Sequence, residues 1–362
     1  MSNQNRISKL TPEQLELLRK KLAQKQSAGI KKDRIKKRAP KENYPLSSAQ
    51  RRLWFLQQME PDSAFYNIPS ALRLRGPLQL TILEESINRV IARHEILRAY
   101  IIVDQHGEPR QKIAPELRLK LNLRDLRETP KEEIDRQVKA ILKNAATKTF
   151  NLTTAPLLEA TAIKLASDDH ILLMNLHHII ADGWSLGIII REFILIYRFL
   201  AEQKEPQLAE PELQFTDYSQ WQIERATQEI VEKQMGFWRD YLKDMPTALE
   251  LFTDFPRPLI QMHKGSQHLF EINKELTARL RKLSQQIGVT PFALLMTAVQ
   301  VFLYKISGQE DFGIGAPIAN RNRREGEDII GFFVNTIVLR ANPEANASFE
   351  MLAKKVQNDT IA

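Results

Sequence analysis

Residues 175–187, NLHHIIADGWSLG, join two apolar runs through a pair of histidines, an aspartate and a glycine. The run before them, in EATAIKLASDDHILLMNLHH, reads as a hairpin turning at Ser167 to Asp169, whose outgoing strand delivers His177 and His178. The run after them, WSLGIIIREFILIYRFLAEQ, puts Leu186, Ile189, Ile190, Phe193 and Tyr197 on one side of a helix. The polar residues therefore sit in a strand-to-helix crossing. Neighbouring side chains on a strand point to opposite faces, so the two histidines cannot address one site unless the strand has already ended. One is functional and the other structural.

A metal centre wants three or four convergent ligands, whereas adjacent histidines diverge and no second histidine cluster lies nearby in the sequence. An imidazole after an apolar strand, with Asp182 four residues beyond His178 and Gly183 allowing close backbone approach, has the composition of a base with supporting residues. Asp182 either caps the following helix or turns inward. A buried carboxylate needs a cation, for which Arg93 and Arg98 in RHEILRAY are the candidates. Serine nucleophile chemistry finds no G-x-S-x-G around Ser185, and GIGAPIAN has two close glycines without the helix that a dinucleotide fingerprint requires.

Outward from the crossing, helices and strands alternate. LSSAQRRLWFLQQ offers Ser47 and Gln50 as a capping box, with Leu53, Trp54 and Leu56 facing the core, and NIPSALRLRG reads as a strand. LTILEESINRVIARHEIL puts Leu83, Ile87, Val90 and Ile91 on one helical face, and AYIIVDQHGEPRQKIA is a hairpin turning at His106 and Gly107. Thr129, Pro130 and Glu132 open a capped helix running to about Thr147. The second half predicts a helix over Tyr218 to Leu242, a strand in HKGSQHLFEI, a helix in NKELTARLRKLSQQIG, and an apolar helix capped by Thr290. Strands in DFGIGAPIAN and GFFVNTIVLRAN flank the polar loop RNRREGED, and Ser348 caps a last helix inside which the sequence stops. A second lobe ending there is expected to be incomplete.

With 362 residues and 43% hydrophobic content the chain can bury a large core, and its length suits two lobes. The net charge of +8 is local: residues 1–44 hold 13 Lys and Arg against 4 Asp and Glu, and the remainder 39 against 40. A phosphate-tracking surface needs basic residues clustered on the folded body, so nucleic-acid binding has little support. The absence of cysteine excludes thiolate nucleophiles, disulfides and covalent thioester loading on this chain. No apolar run approaches a membrane span and the N-terminus lacks a signal-peptide core, so a cytoplasmic protein is expected. Residues 1–25 read as a short helix, with Thr11 as N-cap, Gln14 closing the box and Leu15, Leu18 and Leu22 on one face; this is a possible docking segment. Residues 26–44 read as a flexible basic linker.

HHIIADG resembles the H-H-x-x-x-D-G motif of condensation domains of non-ribosomal peptide synthetases, relatives of chloramphenicol acetyltransferase. SSAQRRLWFL, RHEILRAYI, FTDYSQWQ and IIGFFVNTIVLR are similar to the first, second, fourth and fifth motifs of that family, in family order over residues 44–362. Ala99 stands where the family usually has threonine. The resemblance implies an α+β fold with two-layer sandwich lobes arranged in a V, an N-terminal lobe over 45–224 and an incomplete C-terminal lobe over 225–362. It implies amide formation between a donor acyl thioester and the α-amine of an aminoacyl acceptor, both presented on phosphopantetheine arms, with no cofactor held by this chain. Upstream and downstream peptidyl carrier proteins are the implied partners, together with an adenylation domain. It assigns His178 the reactive position and makes His177 and Asp182 structural, with Asp182 paired to an arginine of the second motif, most simply Arg93. Gly183 falls near the reacting carbonyl, and Trp184, Ser185 and Asn335 along the substrate tunnel. Two alternatives stay open: an acyltransferase of the same fold using coenzyme A thioesters and a free acceptor, and a non-catalytic carrier-docking fragment.

Overall fold

The computed structural model describes residues 34–258, 265–343 and 346–361. The helix expected over 1–25 and the first part of the linker lie outside them. Residues 34–43, read as linker, form no helix and are mostly exposed, but Ile35 and Arg38 tie them to the folded body. Ile35 is buried, and the Arg38 guanidinium lies on the Tyr44 ring while pairing with Asp217 at 3.0 Å and Glu95 at 2.6 Å. A cation whose charge and backbone N–H are both taken up by a buried carboxylate is a strap.

β1 (Tyr44–Pro45) leads into α1 (Ser48–Met59), whose N-terminus carries the expected capping box of Ser47 and Gln50. β2 (Asn67–Arg75), α2 (Leu80–Arg93), β3 (Ala99–Val103) and β4 (Pro109–Ile113) follow, and β1, β4 and β3 make a three-stranded antiparallel sheet. β5 (Asn122–Asp125) was not foreseen, because none of its four residues is buried and the period-2 signal is missing. α3 (Lys131–Ala146) forms as expected, but without a side-chain cap from Thr129: Pro130 is the N-cap residue and makes no side-chain bond.

β6 (Leu158–Lys164) and β7 (Asp169–His177) complete a sheet ordered β2-β7-β6-β5, with β5 parallel to β6 and the other pairs antiparallel. Alternation decides what each face of β7 meets. Leu172, Met174 and Leu176 belong to the main core with Ile87, Val90 and Ile91 of α2 and Ile188, Ile189 and Phe193 of α4 (Gly183–Ala201). Asn175 and His177 lie on the opposite face, where the Asn175 amide donates to Ala145 O of α3 at 2.7 Å.

The helix expected over Tyr218 to Leu242 is two, α5 (Phe215–Arg225) and α6 (Gln228–Tyr241). The chain turns at Ala226 and Thr227, where neither proline nor glycine announces a break. No strand forms over 265–272, so the expectation for HKGSQHLFEI fails: Leu269 and Phe270 are exposed and no neighbouring strand pairs with them. α7 (Lys274–Ile287), α8 (Pro291–Ser307) and α9 (Phe349–Ile361) pack through a small core of Val289, Ala293, Leu294, Ala353 and Val356. β8 (Phe312–Ile318) and β9 (Asn335–Ala341) pair antiparallel.

The segment between β8 and β9 fixes the site. Ile329, Ile330, Phe332 and Phe333 leave the second lobe's ribbon and bury themselves in the core of the first lobe. Gly331 is required there by close approach: a Cβ would stand 1.9 Å from the buried Phe215 ring.

Candidate active site at the strand-to-helix crossing

β7 ends at His177, and the next residue is already in a turn. The His178 backbone N–H donates to Tyr66 O at 2.7 Å, and its ring stands edge-on to Phe332 with centroids 5.3 Å apart. His178 thus lies where the end of the first lobe's sheet meets the segment inserted from the second. It is partly exposed, whereas His177 is buried.

The hydrogen bonds fix the two tautomers in opposite senses. His178 Nδ1 is 3.0 Å from Ala181 O, and a carbonyl only accepts, so Nδ1 carries the proton and Nε2 keeps a lone pair. Among the described residues Nε2 of His178 has no hydrogen-bond partner. Burial lowers the pKa of His178, partly offset by the Ala181 carbonyl and the Asp182 charge, so the ring is neutral at pH 7. In His177 the roles reverse: Nδ1 accepts from Ile179 N–H at 3.1 Å, so Nε2 is the protonated nitrogen. Its ring lies among Tyr66 and Phe150, with centroids 6.3 and 6.2 Å away.

Burial, then the neighbouring His178, lowers His177 to about 4. An unfolded histidine titrates near 6.5, so between those two values the unfolded chain binds the extra proton and stability falls as pH falls. Stability is fully present above about pH 6.5 and the loss approaches about 3 kcal/mol once pH has passed below the folded value. Urea unfolding of the native chain at neutral and mildly acid pH should show this slope. His177→Gln should lose much of it; equal slopes in the two proteins would refute the assignment.

Asp182 is fully buried and does two jobs. Its Oδ1 accepts from Ser185 N–H at 2.7 Å, capping α4, and its Oδ2 accepts from Phe333 N–H at 3.1 Å. Its cation is Arg321, at 3.1 Å with both side chains buried. This corrects the expected pairing with Arg93. Arg93 lies on α2 and is held by Glu192 at 3.0 Å and Ala209 O at 2.7 Å, while Arg98 binds the carbonyls of Ile91, Ala92, Ala114 and Pro115. Neither arginine reaches Asp182.

Arg321 also donates to Gly326 O, Ile329 O and Ser185 Oγ, and its guanidinium lies 4.0 Å from the Phe333 ring centroid. Burial lowers its pKa, opposed by the charge and hydrogen bond of Asp182. Ser185, expected along the tunnel, is instead buried. Its hydroxyl donates to Gly331 O at 2.8 Å and accepts from Gly331 N–H at 3.0 Å, which removes it from any open passage. Arg321 and Gly331 were missed, and Ser185 was given a tunnel role, because their convergence depends on the loop returning across the lobes. The available signal was that a buried Asp182 needs a cation.

Trp184 is half exposed and donates its indole N–H to Glu327 O at 2.9 Å. With Gly183, Gly187, Ile188, Arg191 and Asp328 it lines an open cleft of about 430 Å³. A Cβ on Gly183 would meet no atom of the chain, so internal packing does not require glycine there. Asn335, at the start of β9, accepts from Arg52 Nη1 of α1 at 3.0 Å, a second bridge between the lobes. A larger cleft of about 860 Å³ adjoins Arg321 and Phe333 and includes Trp221 and Ile230; the lining of neither cleft includes His178. Among the described residues no group of three His, Asp or Glu side chains is placed to hold a metal ion.

The family model for the condensation domain matches residues 40–361. The chain is 44% identical over 313 residues to one of the linear gramicidin synthase subunits of Brevibacillus parabrevis, covering 86% of this chain and 6% of that one. It is 36% identical over 340 residues to bacitracin synthase 2 of Bacillus licheniformis, covering 94% of this chain and 12% of the relative. The chain thus spans a small part of the length of either relative. Among solved structures, a complex of the X-domain and OxyB from teicoplanin biosynthesis superposes with a TM-score of 0.79 at 25% identity, over 91% of this chain and 71% of that one.

Proposed function

Because this chain belongs to the condensation-domain family, we propose that it forms an amide bond between a carrier-bound donor acyl thioester and the α-amine of a carrier-bound aminoacyl acceptor. The observation that carries the reading is the tautomer of His178: a neutral ring whose Nδ1–H is spent on Ala181 O and whose Nε2 can accept. The acceptor amine has a pKa of about 7.7–8.0, so an appreciable neutral fraction exists at pH 7. It attacks the thioester carbonyl carbon, and the new C–N bond leaves a positive nitrogen beside an oxyanion. His178 Nε2 accepts the proton from that nitrogen. The C–S bond then breaks, the carbonyl re-forms, and the departing sulfur takes up the proton as a free carrier thiol.

On this reading Gly183 faces the acyl group, Asn335 and Trp184 border its passage, and carrier proteins with an adenylation domain are the partners in the cytoplasm. Among the described residues no single helix is long and apolar enough to cross a membrane. The test compares thioesters on carrier proteins with coenzyme A thioesters and a free acceptor. Amide formation is expected with the carrier-bound pair at a rate well above that with the free pair. Turnover with coenzyme A thioesters and free acceptor alone would establish the rival acyltransferase reading.

A further inference from the structure

Three buried polar atoms near the active turn have no partner among the described residues: Nε2 of His177, Oδ1 of Asn67 and Oδ1 of Asn175. All three side chains occupy one face of the sheet. Asn67 is the direct cross-strand partner of His177, and Asn175 precedes His177 by two residues on the same strand. Cross-strand neighbours have Cβ atoms about 4.5–5.5 Å apart, and residues two apart on a strand are separated by roughly 7 Å. The polar tips of three such side chains can therefore reach a common point.

The orientation of each tip is fixed independently. The Asn67 amide donates to Ala146 O at 2.8 Å and Lys148 O at 2.7 Å, and the Asn175 amide donates to Ala145 O at 2.7 Å. Their nitrogens are thereby identified, and what remains on each is a carbonyl oxygen seeking a donor. His177 Nε2 remains as a donor seeking an acceptor, because Nδ1 already accepts from Ile179 N–H. Leaving three such groups unmatched would cost roughly 1–3 kcal/mol each.

We propose that Asn67, Asn175 and His177 enclose one tightly held water molecule, which accepts from His177 Nε2–H and donates one hydrogen to each asparagine oxygen. The chemistry selects this occupant. A cation is repelled by the ring N–H, and an anion meets two carbonyl oxygens. A neutral group with two donors and an acceptor matches all three atoms, and buried waters typically make two to four such bonds. The water bridges β2 and β7, whose asparagine amides in turn hold the end of α3. It also anchors the ring whose Nδ1 holds Ile179 N–H, and the turn that follows, Ile180 N–H to His177 O and Ala181 N–H to His178 O, supplies the carbonyl that orients His178. His177 is on this view a positioning residue acting through hydrated polar contacts.

A crystal structure of the native chain at a resolution showing ordered solvent tests the site. The expected result is one water within hydrogen-bond distance of all three atoms. Density showing a water on fewer than three of them, or none, overturns the proposal. Solvent exchange of the His177 ring proton, read by NMR, gives a second measurement. Asn175→Leu removes one acceptor and should speed that exchange roughly tenfold, the scale of one hydrogen bond. Unchanged exchange in a folded variant would count against the water, and the native crystal structure decides if the variant does not fold.

Discussion

His178→Ala is expected to slow amide formation on carrier-bound substrates by about 10²- to 10⁴-fold, the usual range for loss of a positioned base. The fold should survive. His178 is partly exposed, its side chain makes one hydrogen bond among the described residues, to Ala181 O, and its backbone bond to Tyr66 O is untouched by the substitution. Melting close to that of the native chain should accompany the lost turnover, which separates a chemical role from a structural one. Because the thioester is already activated and part of the amine is neutral at pH 7, the effect should sit nearer the lower end of that range. His178→Gln, which retains a hydrogen-bond acceptor but cannot hold the proton, should recover positioning without proton transfer. Native rates in either variant would remove His178 from the chemistry.

Arg321→Ala should have the opposite signature. It strips the cation from a fully buried carboxylate and leaves Gly326 O, Ile329 O and Ser185 Oγ short of a donor. Removing one partner of a buried ion pair typically costs about 3–5 kcal/mol, far more than an exposed pair. The Arg93–Glu192 pair, which joins α2 to α4 about two turns beyond Ser185, should matter less to the site, because it touches neither Asp182 nor the inserted segment. Arg321→Lys is not a conservative rescue, since one ammonium cannot reach carboxylate, hydroxyl and carbonyls in the fork that guanidinium offers. Urea unfolding measures the loss. Double substitution with Asp182→Asn should show coupling of about 0.5–3 kcal/mol. An Arg321→Ala loss below about 1 kcal/mol would mean the inserted segment is held mainly by Phe332 and Phe333.

Much of the first lobe is legible in the sequence because its signals are local. Capping at Ser47 and Gln50, the two hairpins, and the apolar faces of Leu83 to Ile91 and Ile189 to Phe193 each follow from spacing alone. His178 and Asp182 stand out for the same reason: they occupy a crossing between two strongly apolar elements. What resists reading is what depends on return of the chain. Arg321 is one of several charges in RNRREGED, and only the fold of the 319–334 segment selects it over Arg93. Ser185 reads as a passage-lining hydroxyl until Gly331 is seen to claim both its donor and its acceptor capacity. β5 and the break between α5 and α6 escape because exposed short strands and helix turns without proline or glycine leave no periodic mark.

The most direct measurement on the active site is the side-chain nitrogen NMR spectrum of His178 followed from about pH 5 to 8. The geometry predicts a neutral Nδ1–H tautomer at pH 7, a titration midpoint below about 6.5, and movement of the Nε2 resonance when carrier-bound acceptor is added. An Nε2–H tautomer, or a ring already charged at neutral pH, would contradict it.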